Sequence, residues 1–130
     1  MSTTSKGNRA EQELCRKLRE FGFKVTKARL SKGEWDRVAS PGDSLRLGIW
    51  MALEHDLYTQ DWKTGRWRCF TTTAAWDESP WYFDITTNST RGRVKALLEK
   101  DTPRPGVKAL AVRYDGKSGK PARWRFWIAG

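Results

Sequence analysis

The sequence predicts an α/β single domain, a mixed central sheet flanked by helices. Two segments, near the start and over residues 91–100, repeat apolar residues at helical spacing. Between and after them lie several short strand-like runs, each bounded by turn residues. The resulting order of helix, strands, helix and two strands places helices on the faces of one sheet. The 130 residues suit one domain over the whole chain. A chain of this length can bury a core without disulfides or a structural metal.

Residues 1–6 read as a polar tail. Ala10, Leu14, Leu18 and Phe21 then form one apolar stripe, and Gly22 follows as a stop, giving a helix over about Gly7–Phe21. Cys15 falls on the same stripe and reads as core. Phe23, Val25 and Ala28 read as a strand and Ser31-Lys32-Gly33 as a turn. Trp35–Ala39 is a second short strand. Residues 43–55 fit either a short helix or an extra strand. Leu57–Lys63 and Arg66–Thr71 read as a hairpin about Thr64-Gly65. Trp81–Ile85 is an apolar run and Arg91–Lys100 a second helix that buries Val94, Leu97 and Leu98. Val107–Tyr114 and Ala122–Ala129 are the last strands. Against the resemblance described below, about 40–56 and 64–80 stand as insertions.

The formal net charge is +10, from 25 Lys+Arg against 15 Asp+Glu. Such an excess points to a polyanion as partner. No apolar run approaches the roughly 20 residues that span a bilayer, and Met1–Arg9 is unlike a secretory signal. The two cysteines form no CxxC pair, which suits a reducing compartment, and the expected location is cytoplasmic, or a host cytoplasm for a viral protein. His55 is the only histidine, so paired-His chemistry is excluded, and no P-loop, GxGxxG or GxSxG is present.

Carboxylates and lysines remain, and these suit a hard cation such as Mg²⁺, with Mn²⁺ as an alternative. Glu11 borders the buried stripe of the first helix. Asp36 interrupts the strand-like Trp35-Asp36-Arg37-Val38-Ala39. Asp61 and Lys63 stand two apart near the end of another strand, on one face of it. Two carboxylates from neighbouring strands could hold a divalent cation, with a lysine beside it to stabilise developing charge. Each residue also has a plainer reading: Glu11 as helix surface, Asp36 as a turn-flanking charge, and Asp61/Lys63 as a solvated pair.

Lys6-Gly7-Asn8-Arg9-Ala10-Glu11-Gln12-Glu13-Leu14, then Phe21-Gly22-Phe23-Lys24-Val25, then Trp35–Ala39, is similar to the start of the archaeal-type Holliday junction resolvases. Gly106–Tyr114 and Trp124–Trp127 resemble the last two strands of that family. The resemblance implies the restriction-endonuclease-like PD-(D/E)xK fold and an Mg²⁺-dependent homodimer that nicks four-way DNA junctions symmetrically. It implies Glu11 as the helix carboxylate and Asp36 and Asp61 as metal ligands. Lys63 would be the motif lysine and Ser31 the turn serine. The Asp36-to-Asp61 gap is longer than the family's. A second strand, Tyr82–Thr86, offers Asp84 at the acidic position but Thr86 where lysine belongs, so Asp61/Lys63 is the preferred assignment.

Lys6, Arg9, Lys27, Arg29 and Lys32 flank the expected site and are the expected phosphate contacts, which position DNA without reading its sequence. Trp62, Trp67, Trp76 and Trp81 accompany Lys63, Arg66 and Arg68 in a basic, aromatic hairpin that suits either unpaired bases or a subunit interface. The alternatives are a basic DNA-binding protein that keeps the nuclease fold without catalysis, and a nuclease of this fold for other branched or duplex DNA.

Overall fold

The computed structural model of the protein describes residues 3–27, 35–40, 42–60, 67–69, 80–90, 92–116 and 119–129. Helix α1 spans Thr3–Glu20. It begins earlier than the stripe alone predicts and takes in most of the segment read as a tail. That segment has no apolar stripe but also no proline, and adding a turn to an existing helix needs no new nucleus. Ala10, Leu14 and Leu18 are fully buried and Phe21 nearly so, and burying each leucine stabilises the fold by about 1.5–3 kcal/mol. The helix ends where Gly22 takes φ +85°. There the Phe23 amide donates to the Leu18 carbonyl (3.0 Å) and the Gly22 amide to that of Arg19 (3.0 Å), a left-handed cap that glycine adopts without strain.

Strands β1 (Val25–Lys27) and β2 (Arg37–Ala39) pair antiparallel, Val25 opposite Ala39. Residues 43–55, open between helix and strand in the sequence, form α2 (Ser44–Ile49) continued by a π-helix over Trp50–Glu54. The Asp43 carboxylate starts α2 by accepting from the Arg46 amide at 3.1 Å, a cap worth about 1 kcal/mol. Leu47, Trp50 and Met51 bury the inner side of this unit. β3 (Asp56–Gln60) and β4 (Trp67–Cys69) pair antiparallel, as the hairpin reading expects. β5 (Trp81–Thr87), α3 (Arg93–Glu99), β6 (Val107–Tyr114) and β7 (Arg123–Ala129) complete the chain.

The seven strands form one mixed sheet in the order β1-β2-β5-β6-β7-β3-β4. β5 and β6 run parallel across the α3 connection, and β3 joins parallel to β7. The two faces carry separate cores. On one, α1, α2 and the π-helix cover Phe83, Ile85, Ala109, Ala111 and Phe126. On the other, Leu97 of α3 packs with Trp35, Tyr82, Leu110 and Val112.

This order corrects one expectation. The strand beside β2 is β5, not the strand leading to Asp61 and Lys63. That strand, β3, lies beyond β5, β6 and β7, about 19 Å from β2 at roughly 4.8 Å per strand. Local alternation identifies strands but carries no information about which pair. No helix among the described residues is long and apolar enough to cross a membrane.

Candidate functional site

Asp36 lies one residue before β2, where that strand has not yet become a partner for β5. Its amide donates to the Phe83 carbonyl at 2.9 Å, and its Oδ2 accepts from the Ile85 amide at 2.8 Å. The side chain thus extends the β2–β5 ladder and is fixed by it. Asp84 sits between those two β5 positions. Phe83 and Ile85 face α1, so alternation turns Asp84 to the α3 face, where it is only 4% exposed. It is the one buried charged residue among the described residues.

Asp84 Oδ2 is 2.5 Å from Nζ of Lys100, the residue that ends α3. The ammonium also lies over the Trp35 ring, 5.1 Å from its centroid. Trp35 is held in turn by its indole N–H, which donates to the Asp101 carbonyl at 3.0 Å, and by the Tyr82 ring at 5.8 Å. Burial pushes the Asp84 carboxyl upward from its ordinary value. The hydrogen bond and charge of Lys100 oppose that rise, while the negative charge of Asp36 adds to it. Two carboxylates on adjacent strands and one ammonium therefore share a small space over an aromatic floor. The second oxygen of each carboxylate has no hydrogen-bond donor among the described residues.

Glu11 is not part of this group. It leans onto the sheet, as its place beside the stripe suggests, but meets Arg37 at 2.9 Å on the α1 face. Arg37 follows Asp36 directly and points to the opposite side. The expected grouping of Glu11 with Asp36 is therefore replaced by an ion pair across the sheet from Asp84. No group of three or more metal-capable side chains forms among the described residues.

Asp61, Lys63, Arg29, Ser31 and Lys32 lie outside the described residues, as do Trp62, Trp76 and Arg66. Lys6 and Lys27 are placed by their backbone, in α1 and at the end of β1. Arg9 is exposed on α1. Lys100 was missed in the sequence because the last residue of an amphipathic helix gives no sign of what it will meet. Asp84 did carry a signal: a carboxylate within the apolar run Trp81–Ile85 is expected only where burial has a purpose.

No family model, curated protein or solved structure matches the chain.

Proposed function

We propose that the protein is a divalent-metal-dependent endonuclease for branched DNA, of the PD-(D/E)xK type, that resolves four-way junctions by paired nicks as a homodimer. Asp36 and Asp84 are its metal-holding pair and Lys100 its catalytic ammonium. The single observation that carries this reading is the pairing of Asp36 with a buried Asp84 on neighbouring strands beside Lys100. A buried charge is costly to keep, and such groups concentrate where chemistry is done. The order of elements supports the fold: a helix, the antiparallel β1-β2-β5 set, the α3 crossover to parallel β6, then β7.

The residues fit Mg²⁺ or Mn²⁺. Two carboxylates, each with one oxygen that meets no donor among the described residues, match an ion usually held by one or two carboxylates and several waters. When bound, the ion would polarise the phosphoryl oxygen and lower the pKa of an attacking water. Asp36 is pre-positioned by the Ile85 amide, so it need not reorganise. Lys100 supplies the positive charge that Thr86 cannot, from the end of α3 instead of from β5, and stabilises charge developing on the phosphate. The +10 net charge supplies the attraction to DNA.

An end-labelled four-way junction and a linear duplex, each incubated with Mg²⁺ or EDTA, test the reading. Paired Mg²⁺-dependent nicks on the junction, lost in Asp36→Asn and Asp84→Asn, are expected. Cutting of other branched or duplex DNA would keep the site and change the substrate. The second reading, a non-catalytic binder, is favoured by Lys100 already neutralising Asp84 and by Thr86 at the lysine position. Tight junction binding without cutting under any divalent metal would establish it.

A further inference from the structure

On the α1 face, across the sheet from Asp84, a cleft of about 430 Å³ opens between α1 and the edge strand β1, lined by Gln12, Cys15, Arg16, Arg19, Val25 and Arg37. Three of the six residues are arginines. The carboxylates of α1 do not neutralise the outer two. Glu11 holds Arg37 at 2.9 Å, Glu13 holds Arg113 at 2.7 Å and Glu20 holds Lys17 at 3.5 Å. Among the described residues Arg16 and Arg19 have no carboxylate partner, and both are exposed. Arg9, two helical turns before Arg16 and also exposed, extends the same row. From Arg9 to Arg19 the helix rises about 15 Å, about four base-pair steps along a duplex axis at roughly 3.4 Å each.

We propose that this cleft is a DNA-backbone site separate from the carboxylate pair. The planar guanidinium forks of Arg16 and Arg19 grip consecutive phosphates. Arg37 forms the floor, its charge balanced by Glu11 at 2.9 Å. The proposal rests on DNA being the substrate and adds how a branched one is held: one arm follows α1 at the sheet edge while a second strand reaches Asp36 and Asp84 on the other face. Contacts of this kind set position and salt dependence and read no bases.

The test is fluorescence anisotropy of a labelled four-way junction in EDTA, titrated from low to high KCl, with wild type and Arg16→Gln/Arg19→Gln. The arginine variant should bind at least about tenfold more weakly. Its plot of log affinity against log salt should be shallower by about 1.8, from about 0.9 per lost phosphate contact. An arginine variant with unchanged affinity and slope, beside a wild type that cuts with Mg²⁺, overturns the cleft and leaves the nuclease. Weakened binding by that variant, beside a wild type that never cuts, supports the cleft and overturns the nuclease.

Discussion

Replacing Asp36 should do two different things according to what replaces it. Its Oδ2 is the acceptor for the Ile85 amide at 2.8 Å, at a partly buried position where β2 has not yet begun. Asp36→Ala leaves that amide without a partner. Losing a charge-assisted bond and stranding a partly buried donor costs about 1.5–3 kcal/mol. At about 4 °C per kcal/mol for a domain of this size, Tm should fall by about 6–12 °C. Asp36→Asn keeps an acceptor in the same place and loses only the charge, at about half the strength of the bond, so it should cost about 1 kcal/mol or less. Both variants should lose Mg²⁺-dependent cutting, because neither retains the carboxylate. Thermal melting and urea titration of the three proteins measure the first effect, and junction cleavage the second. Equal loss of stability in both variants would refute the ladder role of Asp36. Retained cleavage in Asp36→Asn would refute its role as a ligand.

Lys100→Met removes the one cation that pairs with buried Asp84 among the described residues. It should destabilise the protein by about 2–3 kcal/mol at neutral pH, somewhat below the usual cost of breaking a fully buried pair because Lys100 is partly exposed. The loss should shrink in acid, where Asp84 is protonated, and in the double variant with Asp84→Asn; melting curves at neutral and acid pH decide. Burial holds His55 below its ordinary value of 6.5, helped by Arg123 and Lys17 against Glu54 and Asp56. A folded-state value below the unfolded one gives stability that is full above pH 6.5 and lost as pH falls below it. Tm measured from pH 7.5 to 5 should therefore decline, and His55→Gln should flatten that decline. A Cβ at Gly106 would collide with the Pro80 carbonyl and lie 2.8 Å from the Tyr82 ring. Gly106→Ala should therefore cost about 1–3 kcal/mol in denaturant titration.

Local signals were strong where one face of an element is buried. The α1 stripe, the 107–114 strand and the hairpin of β3 and β4 all follow from spacing and turn residues. Residues 43–55 resisted because a π-helix shifts the register of an α-helix, so Leu47, Trp50, Met51 and Leu53 keep no single period. The site was half legible. Asp36 stood out as a carboxylate in a strand-like run, but its neighbour depended on strand order. The chain leaves β2, builds α2, β3 and β4 at the far side, and returns as β5 beside β2. Nothing in Asp61-Trp62-Lys63 or Tyr82-Phe83-Asp84 records that return. Lys100 meets Asp84 only because the crossover through α3 brings its end back over β5.

The two edges of the sheet have a consequence for self-association. β1 and β4 are each three residues long and each carries a basic residue, Lys27 and Arg68. The long strands β5 and β6 are enclosed on both sides. Short, charged edges offer little template for an incoming strand. Two copies joined by extending their sheets would share only a few ladder bonds per edge among the described residues. A pair of subunits that met through the described residues would therefore use helices or sheet faces more than these edges. Hydrogen bonds between backbones would contribute little to its affinity, and its specificity would reside in side chains.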